Sequence, residues 1–164
     1  MYTPPLTNLI STNGKNKGGM RYFEFCPIEW LAMDIIIHPT LRTVKIPISL
    51  LPGRTLLRAT CLPESIGFSE PEGNSKSGSY KDQKLTGIIN KDELEKSILL
   101  DTLRFHKLLV IYYDKNGAVK IIGNKQDGMN ISSSMELEPT TAGKTFYQLT
   151  LTHQMEHTVP FYII

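Results

Sequence analysis

Two apolar runs flank a single turn signal past the middle of the chain. Leu108-Leu109-Val110-Ile111-Tyr112-Tyr113 leads into Asp114-Lys115-Asn116-Gly117, and Ala118-Val119-Lys120-Ile121-Ile122-Gly123 leads out. Asn-Gly supplies the positive φ angles that close a tight antiparallel connection, so a β-hairpin is expected here. Both arms are too short for anything but strands. The longer run is about a third of what a bilayer crossing needs, which excludes a membrane span through it.

The rest of the chain reads as further strands around that hairpin. Met20 to Phe25 has β-rich chemistry and ends at Pro27, while Ile28 to His38 is ambiguous between a short helix and irregular chain. Thr43 to Pro47 alternates but carries proline, which demotes it to an edge strand. Arg54 to Leu62, Tyr80 to Asn90, Asn130 to Glu136, Thr145 to Thr152 and Val159 to Ile164 are the other strand candidates. Tyr147, Leu149 and Leu151 alternate with Gln148, Thr150 and Thr152, the period of a half-buried strand. Pro63 to Ser79, rich in glycine and polar residues, reads as a long surface loop.

One helix is expected over residues 91–105. Asn90 or Asp92 caps it, Glu93 and Glu95 sit in its first turn, and Arg104, His106 and Lys107 follow its far end, all in the sense the helix dipole favours. Leu94, Ile98, Leu99 and Leu103 recur at spacings that can face a sheet. The fold class is therefore mainly β (α+β): an antiparallel β-sandwich or barrel of about eight short strands with one packed α-helix. Residues 1–19, polar and glycine-rich, read as a flexible N-terminal arm on a single β-rich domain over 20–164.

Charge narrows the function classes. The chain has 18 basic and 16 acidic residues in 164, a net charge of +2, which argues against a phosphate-driven nucleic-acid binder. The first residues lack the apolar stretch of a secretory signal. Cys26 and Cys61 accordingly read as reduced buried thiols, and the glycosylation match Asn130-Ile131-Ser132 as idle.

Three motifs look like chemistry. Asn124-Lys125-Gln126-Asp127 matches the guanine-reading N-K-x-D of GTPases, but that element needs a phosphate-cradling loop upstream. Ala142-Gly143-Lys144-Thr145 lies downstream and has Glu138 where the first glycine belongs, so a polar turn is the better reading. His153-Gln154-Met155-Glu156-His157 fits H-x-x-E-H, the pattern of a zinc hydrolase. In extended chain its histidines stand about 13 Å apart, too wide for one metal, and a solvated loop between two strands is expected. A cysteine hydrolase would need one of the four histidines beside Cys26 or Cys61 in space, which the sequence leaves open, but Cys26 at a strand end before proline and Cys61 in a strand read better as buried packing. No catalytic, cofactor-binding or metal-ligating residue is expected.

One register of residues carries a resemblance. Arg21-Tyr22-Phe23-Glu24-Phe25, Gly67-Phe68-Ser69-Glu70, Gly78-Ser79-Tyr80 through Gly87, a helix opening Asp92-Glu93-Leu94-Glu95, the Val110–Gly123 hairpin and a closing Pro160-Phe161-Tyr162 follow in this order. The layout resembles small structural proteins encoded in the tail-gene region of phages and prophages of Bacteroidetes bacteria. The resemblance implies a non-enzymatic virion protein, assembled in the bacterial cytoplasm, that forms a homo-oligomer or docks onto other tail or neck proteins. It carries over no catalytic residues and leaves Ile28 to Leu51 unexplained; no membrane, nucleic-acid or cofactor partner is expected. Tyr80 to Asn90 and Val159 to Ile164 are the expected interface edges, with Pro47, Lys45 and Lys120 as possible edge-blocking residues. The rival expectation is a ligand-binding β-module that holds a glycan or peptide across Trp30, Tyr80, Tyr112, Tyr113 and Tyr147.

Overall fold

A computed structural model describes residues 20–90, 94–137, 139 and 145–163. The elements follow as β1 (Met20–Pro27), a single 3-10 turn (Ile28–Trp30), β2 (Thr43–Val44), β3 (Leu57–Ala59), β4 (Gly67–Ser69), β5 (Glu72–Ser75) and β6 (Gly78–Asn90). Then come α1 (Leu94–Leu103), β7 (Leu108–Asp114), β8 (Val119–Ile122), β9 (Asn130–Leu137), β10 (Thr145–Met155) and β11 (Phe161–Tyr162). The expected arm at residues 1–19, the cap candidate Asp92 and most of the glycine-lysine stretch at 138–144 lie outside the described residues, while the other candidate, Asn90, ends β6.

Two sheets face each other, so the fold is an α+β sandwich and not a barrel. The first sheet runs β2-β11-β8-β7-β1-β3, and the second runs β4-β6-β10-β9 with β5 also paired to β6. All pairs are antiparallel except β2 with β11. The core between the sheets gathers Phe23, Phe25, Val110 and Ile122 from one and Leu85, Tyr147, Leu149 and Leu151 from the other. β10 keeps the expected alternation, with its odd positions from Tyr147 to His153 buried.

A second apolar cluster lies on the other face of the first sheet. Cys26, Leu109, Ile111, Ile121 and Tyr162 are covered there by Ile28, Leu31, Val44, Ile35, Ile37, Ile48 and Leu50. The segment 28–51, which the sequence left unexplained, is thus a cover with little regular structure. It is tied down where Ala32 N–H donates to Ser49 C=O and Leu51 N–H to Trp30 C=O. Burial on both faces explains why Leu108 to Tyr112 is apolar at every position.

Several expectations are corrected. The Pro63–Ser79 segment is not a loop, since β4 and β5 form within it and pair with β6. Tyr80 to Asn90 is consequently an interior strand, flanked by β4 and β5 on one side and β10 on the other. The terminal strand β11 is also interior, held between β2 and β8. Thr43 to Pro47 is indeed at a sheet edge, but only Thr43–Val44 pairs.

The hairpin forms, with a longer turn than Asn-Gly implied. Gly117 N–H donates to Asp114 C=O and Asp114 N–H to Ala118 C=O, and Gly117 has φ of +88° while Asn116 is not in the left-handed region. A type I turn followed by one left-handed glycine satisfies the strands' twist as a two-residue turn would. Asp114 Oδ1 accepts the Asn116 and Ala118 N–H groups at 2.8 Å and locks it. The helix expectation also needs revision, because of its four apolar positions only Leu103 is buried, with Leu100 half-buried beside it. Leu94 and Ile98 are 76% and 57% exposed, so the N-terminal turns of α1 stand away from the sheets.

Candidate functional site

Two concave regions adjoin the core between the sheets. The larger is an open polar cleft of about 500 Å³, lined by Asp82, Gln83, Lys107, Asp127, His153 and Gln154 among others. The strand periods build it. Leu85 and Gly87 turn inward from β6, and Gln83 continues that row; Leu149 and Leu151 do the same in β10, and His153 continues theirs. The register sets Gln83 opposite His153. Asp127 arrives from the turn after β8, where Asn124 Oδ1 accepts the Gln126 and Asp127 N–H groups at 2.8 Å.

These side chains form one continuous chain of polar contacts. Gln83 Nε2 donates to Glu70 Oε1 at 3.0 Å, and the same oxygen accepts Val159 N–H at 2.9 Å. His153 Nδ1 lies 3.0 Å from Gln83 Oε1, and its Nε2 lies 3.2 Å from Asp127 Oδ2. Lys107 Nζ closes the chain 3.1 Å from Asp127 Oδ1. A neutral imidazole has one N–H, yet two acceptors face this ring. Only the doubly protonated ring could donate to both.

Burial opposes that second proton. It is the largest influence on His153 and lowers its pKa below the ordinary histidine value, with Asp127 offsetting part of the effect. Burial also resists ionisation of Asp127, but Lys107, the Gly128 N–H and His153 outweigh it and hold the carboxyl below its usual range. The folded ring therefore binds its second proton more weakly than the unfolded one does. Stability is full above about pH 6.5 and declines as pH falls below it. Thermal unfolding midpoints at about pH 7.5 and about pH 5.5 check this. The wild type is expected to lose stability across that interval, and His153→Gln to lose clearly less.

This geometry corrects the reading of H-x-x-E-H. His153 to Met155 belong to β10 and not to a loop, and His153 is buried between Gln83 and Asp127, whereas Glu156 and His157 are exposed beyond the strand end. Among the described residues no three His, Cys, Asp or Glu side chains are grouped to hold a metal ion. The N-K-x-D stretch is the polar turn expected, and its Asp127 serves the histidine.

The cysteines lie in different layers: Cys26 under the cover, Cys61 against the inter-sheet core. Both are free thiols. Burial raises each thiol's pKa to about 11, with Glu29 adding to the effect on Cys26, so neither supplies a ready thiolate nucleophile. The aromatic face expected of a glycan or peptide binder does not assemble. Tyr112 and Tyr147 are in the core, Trp30 lies beneath Arg54, and Tyr113 donates its hydroxyl to Glu24 at 2.9 Å.

The second concavity is apolar. About 280 Å³ opens beneath α1, where Phe23, Phe25, Leu103, Ile131, Leu149 and Leu151 supply much of the wall. Its residues were legible as core, but the exposure of Leu99 beside them was not. No protein-family model matches the chain, and no curated protein or solved structure matches it.

Proposed function

We propose that the protein is a non-enzymatic structural subunit that works by self-association through the open edge of β9. One observation carries this reading. Of the strands that end the sheets, β2 has two residues, β3 three, β4 three and the flanking β5 four, whereas β9 has eight. Short edge strands protect a monomer from unwanted pairing, and so do lysine and proline. β9 is long, has neither lysine nor proline, and bears Glu136 as its single charge. Among the described residues it pairs with β10 alone.

A second copy suits that edge. An antiparallel pairing of β9 with itself about Ser133 sets Met135 across from Ile131 and Glu136 across from Asn130, so no like charges meet. Met135 and Leu137 are exposed at this edge, and α1, with its exposed Leu94 and Ile98, packs nearby. His153 is buried and packed between Gln83 and Asp127, and that enclosure is the reason to read the polar cleft as structural and not catalytic. The resemblance seen in the sequence supplies the setting: a phage or prophage tail assembled in the bacterial cytoplasm, with tail or neck proteins as further neighbours. The interface edges expected there, Tyr80 to Asn90 and Val159 to Ile164, give way to β9.

Sedimentation at about 1–100 µM tests the reading, because that interval spans the affinities of weak to moderate dimers. A concentration-dependent dimer or larger species is expected. Met135→Lys places a charge on the edge and should return the protein to monomer, with a stability change within about 0.5 kcal/mol because Met135 is exposed. A wild type that stays monomeric throughout sinks self-association.

A further inference from the structure

We infer that pairing through β9 closes at a two-fold dimer centred on Ser133 and adds no third copy. The closure rests on the self-association proposed above and fixes where it stops. Side-chain parity limits where the two-fold axis can pass. In β9, Ile131, Ser133 and Met135 stand opposite Leu151, Leu149 and Tyr147 of β10, so they share the inward face of the second sheet. Residues directly opposite in an antiparallel pair point to the same side, and rotation about an axis normal to the sheet preserves that side. Two copies of β9 therefore pair symmetrically only about a residue, never about a peptide bond.

With Ser133 at the centre, residues 130–136 of both copies face one another. Met135, 55% exposed in one copy, comes to lie against Ile131 of the other on the inward face. On the outward face Ser132 meets Ser134 and Asn130 meets Glu136, so no like charges oppose. Centring at Ser134 would instead set Met135 against a serine in both halves. The two second sheets run on as one, and α1 of each copy, seated through Leu103 in the core, lies on the same side of it. The remaining edges explain why assembly stops there. A head-to-tail series of subunits would need β9 to pair with a different edge of the next copy. Among the described residues those edges are β2, β3, β4 and β5, with two to four residues each. Lys45 and Pro47 follow β2, Arg58 sits in β3, and Pro71 separates β4 from β5, all residues of the kind that blunt an edge. A two-fold pair uses the one long edge of each copy and leaves only these.

Sedimentation velocity of the whole chain at about 1–100 µM reads the ceiling. Monomer and a species of twice the 18.5 kDa chain are expected, with nothing heavier. Single cysteine substitutions under mild oxidation read the register. A disulfide needs Cα atoms within about 7 Å, which residue 133 meets across the axis, whereas residues 132 and 134 stand about 8 Å from their own counterparts. Ser133→Cys should therefore give about tenfold more covalent dimer than Ser132→Cys or Ser134→Cys, above a wild-type baseline set by buried Cys26 and half-buried Cys61. All three serines are exposed, so the variants keep the fold. A chain that stays monomeric throughout sinks the self-association and its closure together. Trimers or longer species overturn the closure alone and leave self-association standing. Dimers that Ser132→Cys or Ser134→Cys links as well as Ser133→Cys does overturn the register.

Discussion

Gly128→Ala is expected to lower the unfolding free energy by about 3 kcal/mol, the upper end for forcing atoms into packed structure. A Cβ at this position would stand 2.6 Å from the Leu108 carbonyl oxygen and 3.0 Å from both the Leu108 carbonyl carbon and Ile28 Cγ2. The obstacle is backbone and cannot swing aside. Leu108 and the neighbouring Met129 exchange both of their N–H···O bonds, at 2.8 and 2.9 Å, where the chain leaves the first sheet to begin β9 in the second. The clash therefore falls on the corner that joins the two layers. Urea unfolding reads the loss directly, with Gly117→Ala as the comparison. Gly117 has a left-handed backbone but open space around its Cβ position, so its cost is local strain of about 1–2 kcal/mol. Equal losses for the two variants would mean that the close approach at Gly128 does not matter.

Leu109→Ala should cost a similar amount, about 2–5 kcal/mol, by emptying a fully buried site. The informative point is which layer it empties. Leu109 faces Ile28, Leu31 and their neighbours in the 28–51 cover, away from the inter-sheet core. A loss in that range, with an unchanged denaturant slope, means that the cover unfolds together with the sandwich. A loss below about 1 kcal/mol would mean that the cover is a loosely held strap whose packing contributes little.

The fold was legible where local pattern and burial agree. The hairpin arms, the alternation of β10 and the sheet-edge position of Thr43–Val44 all follow from periods or turn residues within a few positions of one another. β4 and β5 were not legible because Gly67 to Ser75 is mostly exposed and carries almost no apolar signal; β6 organises it from outside. The cover was missed for a related reason. It packs as irregular chain, so its isoleucines and leucines follow no helical or strand period.

The cleft shows the same division. His153 lies two residues beyond Leu151, and extending the alternation by one step would have placed it inside. Nothing local links it to Gln83, 70 residues earlier, or to Asp127 in a different turn. The apolar cavity depends on α1 failing to seat its leucines, which the favourable spacing of Leu94, Ile98, Leu99 and Leu103 concealed. Spacing says that a face exists. It does not say that the face is used.

The separation of the two cysteines has a practical consequence. Cys26 is fully buried beneath the cover, while Cys61 packs into the inter-sheet core from the side with its sulfur close to Gly87. Cys26 becomes available to an alkylating reagent only when the cover opens, whereas Cys61 is only half-buried in the native fold. The native chain thus carries an internal clock at Cys26, readable by mass spectrometry without any label or engineered probe. Alkylation of Cys26 at the rate of global unfolding would report a molecule that opens as a unit; a faster rate would time the departure of the cover separately from the parting of the sheets.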